Sequence, residues 1–290
     1  MKNKSSLMAD AWGALKQNKA ALFSFVTMSV MVVLVILGPL LSPFAIDQTD
    51  WYQLSAKPSF SSGHIFGTDD LGRDLFVRVM YGGRISLMVG LVATMVSVFI
   101  GVSYGAISGY LGGKTDAIMM RVVDVLYAMP FLFFVILLMV FFGRSILLIF
   151  IAIGAVNWLD IARIVRGQTL NIKGKEFVDA ARAGGVSNIK IVFKHIVPNL
   201  LGLVVVYVAL TVPQVILVES FLSFLGLGVQ EPMTSWGALV NQGAKQMETS
   251  PWMLIFPGLF LATTLFCFNF IPSCNCCAFT KKKKSKKIKY

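Results

Sequence analysis

Six apolar blocks, each close to the length that crosses a lipid bilayer, constrain this chain more than any other feature. They fall at about residues 20–41, 84–109, 117–142, 146–165, 200–222 and 252–270, with charge gathered between them. A hydrocarbon core about 30 Å thick is crossed by about 20 helical residues, and inside it a single segment satisfies its own backbone hydrogen bonds only as a helix. The blocks therefore predict an all-α, polytopic membrane protein with six transmembrane helices. Composition agrees, since 56% of residues are hydrophobic and 14% charged, against about 25% charged in an ordinary soluble domain.

Charge sets the orientation. A net charge of +12 would suit nucleic acid in a soluble protein, but here the cations sort by loop: about 20 Lys and Arg lie on one side and 6 on the other, or about 13 to 6 without the last lysines. Cationic loops stay inside, so both termini are expected in the cytoplasm and nucleic acid is excluded as a partner. Lys2, Lys4, Lys16 and Lys19 precede the first block, which is too long for the core of a signal peptide. It is expected to be an uncleaved helix behind a cytoplasmic segment, residues 1–20. Four cysteines, Cys267, Cys274, Cys276 and Cys277, crowd the last 24 residues, unlike a disulfide framework.

Residues 173–199 form a polar island between the fourth and fifth blocks. Phe177, Ala180 and Ala181 recur at helical spacing on one side, opposite Lys175, Asp179 and Arg182. The alanines make a shallow face, and Gly184-Gly185 supplies left-handed backbone for a sharp turn. Ser187 then suits an N-cap, with an apolar stripe of Ile189, Val192, Phe193 and Ile196 ending at Pro198. A loop packed on its own protein is the plain alternative.

Asp179-Ala180-Ala181, three residues, Gly185, nine residues and then His195-Ile196-Val197-Pro198 resembles the EAA loop of binding-protein-dependent ABC importer permeases, the cytoplasmic element that docks into the ATPase subunit. Asp179, His195 and Val197 stand where that family usually has Glu, Ile and Leu. The resemblance implies an ATPase-coupling helix in which Ala180, Ala181, Gly184 and Gly185 shape the docking face and Glu176 and Asp179 make its polar contacts. Two outer stretches are similar to the dipeptide, oligopeptide and nickel group of these permeases: residues 66–74 with 81–87, and the SFLGLGV and SWGALV pieces of residues 223–243.

Between these stretches the residues carry local expectations. Thr68 suits a helix cap with Asp69 and Asp70 in the first turn. Arg73 and Arg78 are placed to neutralise Asp69, Asp70 and Asp74, which outweighs a metal or acid/base site with His64. Gly101, Gly105 and Gly109 repeat every four residues and mark a helix-packing seam, within the chain or with a second permease. Gly113-Lys114-Thr115 mimics the end of a phosphate-binding loop, but Ser108 replaces its first glycine and a membrane helix precedes it. Pro130 is expected to kink the third span and Pro213 to interrupt the fifth. Gly143-Arg144-Ser145 reads as an outer turn. Asn157, Asp160 and Arg163 share a face on which carboxylate and guanidinium can pair. Glu219, near the outer end of the fifth block, is a candidate for lining a pathway, with a structural ion pair as the alternative.

The last stretch, IPSCNCCAFTKKKKSKKIKY, departs from the family's amphipathic ending. A reading-frame change is the favoured explanation, ahead of a polybasic segment held against anionic lipid and a Cys-x-Cys-Cys metal site. The expected organisation is thus a cytoplasmic N-terminus, a permease domain over 21–272 with its coupling loop at 173–199, and a polybasic tail over 273–290. The resemblance implies half of the translocation pathway of an importer in a prokaryotic cytoplasmic membrane. Its implied partners are a second permease in a heterodimer, two ABC ATPases that bind the ATP and Mg, and an extracellular substrate-binding protein. The chain itself is expected to hold no cofactor and no catalytic residue. Short peptides are the first substrate class and nickel the second. A secondary transporter using Asp124, Asp160 and Glu219 as carriers is the rival from another class.

Overall fold

Apart from two isolated bridges, Thr49 with Arg73 and Thr68 with Asp74, all regular structure among the described residues is helical. The computed structural model describes residue 13 and residues 18–142 and 146–287. Lys2, Lys4, Lys16 and the turn expected at Gly143-Arg144-Ser145 lie outside the described residues, as do the side chains of Cys274, Cys276, Cys277 and the tail lysines. The helices are α1 Lys19–Leu41, α2 Leu75–Leu111, α3 Gly113–Ala128, α4 Phe131–Phe142, α5 Ile146–Ile172, α6 Glu176–Ala183, α7 Asn188–Ile191, α8 Val197–Phe224, α9 Trp236–Lys245 and α10 Trp252–Lys287. A π-helical turn, Val192–Ile196, joins α7 to α8. Four helices among the described residues are long and apolar enough to cross a membrane: Lys19–Leu41, Leu75–Leu111, Asn188–Phe224 and Trp252–Phe270.

The chain divides into two compact units, Met1–Gly90 with Val212–Tyr290, and Leu91–Thr211. In the first, α1 is apolar all round yet buries a narrow stripe, Ala21, Met31, Val35 and Gly38, leaving Phe23, Val26, Val30, Val33 and Leu37 open. That is the pattern of a helix with lipid on most of its surface. Met31 and Val35 pack with Leu75, Val79, Met80, Trp236, Leu239 and Met253. Pro39 has no N–H for the Val35 carbonyl four residues back. Arg84 Nε donates to that carbonyl instead, at 2.9 Å.

Helix α2 starts nine residues before the block expected at 84. Arg78 interrupts the apolar pattern, but Leu75, Val77, Val79 and Met80 around it are buried against protein. Thr68 is no helix cap. Its hydroxyl donates to the Gln53 carbonyl at 2.5 Å and accepts the Ala56 N–H at 2.7 Å, while Asp74 Oδ2 takes the Val77 N–H at 2.9 Å. A side chain paired across the outer segment is not free to cap its own local helix, so the cap passes to Asp74.

In the second unit the glycine ridge of α2 packs on α5. A Cβ at Gly101 would stand 2.7 Å from that of Ile161, one at Gly105 would overlap the Ala162 carbonyl, and one at Gly109 would stand 2.8 Å from the Arg166 carbonyl. The seam therefore lies inside this chain. Pro130 does more than kink the expected third span: the chain breaks at Met129-Pro130 between α3 and α4, because the residue before a proline is driven to extended backbone. Pro198 and Pro213 do the reverse and sit within α8. Pro198 directly follows a π turn in which the Val197 N–H donates to the Val192 carbonyl. Helix α10 likewise continues past residue 270 to Lys287.

Candidate functional site

The polar island folds as α6, a turn and α7. Glu176 and Asp179 fall in the first turn of α6 and Arg182 in its last, each sign facing the helix end that favours it. The turn is a Schellman closure: Val186 N–H donates to the Ala181 carbonyl at 3.1 Å and Gly185 N–H to the Arg182 carbonyl at 3.0 Å. Only Gly185 is left-handed, at φ +73. Gly184, expected to share that role, has φ −77.

One buried side chain, Val178, fixes α6 to the body of its unit. It is fully buried in a cluster with Val102, Ala106 and Tyr110 of α2, Val165 and Ile172 of α5, and Ile196 and Leu200 around the start of α8. Ala181 and Val186 pack against the same cluster. Tyr110 adds a polar tie, its hydroxyl donating to Asn188 Oδ1 at 3.0 Å, with the Arg182 guanidinium 5.7 Å from its ring.

The remaining face is open. Glu176, Asp179, Ala180, Gly184 and Gly185 are exposed, and so are Phe177, Ile189 and Phe193, with Ile189 at 74%. The expected stripe was thus displaced. Val192 and Ile196 are buried as anticipated, but Ile191 accompanies them, and Ile189 and Phe193 face outward. In a helix of two turns, periodicity cannot separate the set 177, 180, 181 from the set 178, 181. The burial of Val178 was the residue that spacing missed.

Ion pairs, one of them half-buried, brace the helices that carry this loop. Arg166 donates from Nε and Nη2 to the two oxygens of Asp116, both at 2.6 Å, and Ser108 Oγ donates to Asp116 Oδ1 at 2.5 Å. The Arg166 hydrogen bonds hold the Asp116 carboxyl below its ordinary range, with smaller help from Ser108 and Lys173 against the cost of burial. Gly113-Lys114-Thr115 is accordingly the first turn of α3, with Asp116 used as an anchor. Arg163 does not pair with Asp160. Its Nη2 donates to Asp124 at 2.8 Å, across from α5 to α3, while Asn157 donates back to the Ile153 carbonyl at 2.9 Å.

In the other unit, Asp69 binds Arg73 Nε at 2.7 Å and also Arg78, and Glu231 reaches Arg73 Nη2 at 3.1 Å. The hydrogen bond from Arg73 holds the Glu231 carboxyl below its usual range. His64 Nδ1 meets Asp74 Oδ1 at 2.8 Å, and Asp70 is exposed. Glu219, read from sequence as a candidate for lining a pathway, is 0% exposed. Ser86 Oγ donates to its Oε2 at 3.1 Å and Ser223 Oγ to its Oε1 at 2.7 Å. Those hydroxyls accept in turn, from the Trp236 N–H at 3.2 Å and from Ser235 Oγ at 3.1 Å, and Ser235 Oγ takes the Ala238 N–H at 3.2 Å. The carboxyl is thus linked through serines to the amino-terminal amides of α9, with no cation beside it among the described residues.

A family model described as the binding-protein-dependent transport system inner membrane component matches residues 101–272, and one described as the N-terminal TM domain of oligopeptide transport permease C matches residues 6–58. The oligopeptide transport system permease protein OppC of Escherichia coli is 60% identical over 266 residues, 92% of this chain and 88% of the relative. OppC of Haemophilus influenzae is 58% identical over 92% of this chain and 86% of its own length. The dipeptide transport system permease protein DppC of Bacillus subtilis is 44% identical over 91% and 82%.

Proposed function

The chain belongs to the family of binding-protein-dependent transport system inner membrane components, and we propose that it forms half of the translocation pathway of an ATP-driven importer of short peptides. It works with a second permease as a heterodimer, two cytoplasmic ATPase subunits that bind ATP and Mg, and an extracellular substrate-binding protein. In this reading six spans cross the cytoplasmic membrane over residues 21–272, α3 with α4 and α5 supplying the two beyond the four long apolar helices. Both termini, residues 1–20 and the polybasic tail 273–290, lie inside.

The observation that carries the coupling role is the contrast between the two faces of α6. Val178 locks the helix into the core of α2, α5 and α8, while Phe177, Ala180, Glu176 and Asp179 stay open. A push on that open face is passed to the spans, because a helix held in a close-packed core moves with it and does not deform. Closure of the ATPase pair on nucleotide displaces the docked helix and opens the pathway outward. The seam of Gly101, Gly105 and Gly109 keeps α2 and α5 moving as one, and Glu219 anchors α9 instead of touching substrate.

The test is uptake of labelled trialanine by proteoliposomes holding the full complex. Uptake requires ATP, and Glu176→Lys with Asp179→Lys abolishes both uptake and co-purification of the ATPases. Normal assembly and transport by that double variant overturns the docking assignment. Uptake that survives ATP depletion and collapses with the proton gradient overturns the ATP-driven reading.

A further inference from the structure

The break between α3 and α4 falls midway along their combined length, beside a cavity of about 280 Å³ lined by Leu126, Met129 and Phe134 on the broken side and by Asn157 and Asp160 on α5. Asp160 lies fourteen residues from the first residue of α5 and five from the inner end of the apolar block at 146–165. Non-helical backbone at membrane depth is tolerated only where it is buried in protein or lines a water-filled space. Asp160 is exposed and, with the described residues, makes no hydrogen bond or ion pair. The guanidinium that its spacing offered, Arg163, is held by Asp124 at 2.8 Å and lies 4.4 Å from the Tyr127 ring.

Besides the Tyr127 hydroxyl, which can donate or accept, the polar groups lining this cavity offer acceptors. Asp160 brings two carboxylate oxygens. One N–H of the Asn157 amide is used on the Ile153 carbonyl, and its Oδ1 is left to accept. Helix α3 ends here, and its last carbonyls carry the negative end of the helix dipole. A set of acceptors beside apolar walls fits a primary ammonium group attached to a small apolar body.

We propose that Asp160, Asn157 and the carboxyl end of α3 form a binding site for the amino-terminal ammonium group of a peptide in transit. This rests on the reading of the chain as a peptide permease. Asp160 is the charge partner, Asn157 a second acceptor, and Asp124 a positioning residue that keeps Arg163 away from the site.

The experiment uses the full complex in proteoliposomes with two probes, trialanine and its desamino analogue propionyl-alanyl-alanine. Each is supplied at a concentration that saturates the binding protein, so that selection at that earlier step drops out. The wild type moves trialanine about tenfold faster, the worth of one charge-assisted hydrogen bond. Asp160→Asn brings that ratio close to one, Asn157→Leu lowers it about threefold, and Asp160→Glu restores most of it. An unchanged ratio in an assembled Asp160→Asn complex overturns the site. Loss of assembly in that variant overturns it as well, since the carboxylate would then serve a contact with the second permease. A wild type that moves neither probe with ATP is a failure of the peptide-importer reading itself.

Discussion

Gly185 is the residue at which backbone conformation leaves least choice. Its φ of +73 closes the turn after α6, and a Cβ there would meet nothing within 4 Å, so the demand comes from the backbone alone. Gly185→Ala is expected to cost about 1 kcal/mol and to lower the thermal stability of the complex in nanodiscs. Gly184→Ala, at φ −77 and 3.4 Å from the Ala180 carbonyl, changes little. Equal melting temperatures for the two variants would sink this account. The glycine pair was visible as a turn in the sequence, but which of the two takes the left-handed position depends on where α6 stops. Charge partners were less legible for a related reason. Asp116 and Arg166 are fifty positions apart, and spacing along one helix pointed Arg163 to Asp160 when the packing of α3 against α5 brings Asp124 to it.

Elements were legible where their physics is local. Apolar block length announced α1, α2, α8 and the first part of α10, because crossing lipid is a property of one segment. Prolines resisted the same treatment. Pro130 ends a helix, whereas Pro198 and Pro213 sit inside one, and the residue type alone does not separate the two outcomes. The glycine ridge of α2 yields a sharper expectation. Gly105→Ala forces α2 away from the Ala162 carbonyl and should destabilise by about 1–3 kcal/mol. Gly167→Ala, on α5 with open space around it, should be neutral or stabilising by up to about 1 kcal/mol. Thermal unfolding of both variants in detergent checks the pair, and a well-tolerated Gly105→Ala would mean that the seam is looser than its contacts imply.

At the scale of the whole molecule, the sorting of cations predicts orientation. A single cysteine at Asp47 should react with a membrane-impermeant maleimide in intact cells, and one at Lys175 only after the membrane is opened. Labelling of both in intact cells would refute the two-sided arrangement. The residues themselves determined that this chain crosses a membrane repeatedly and where a polar loop resembling a coupling element sits, and they predict how its loops are sorted, since each follows from composition over a short window. Tertiary structure decided which face of α6 is free, by burying Val178. It turned Glu219 from a candidate pathway residue into an enclosed anchor for α9. It also left Asp160 open beside a broken helix, because Asp124 claimed its neighbour Arg163. Those outcomes rest on which side chains meet across helices far apart in the chain, and no local period encodes that.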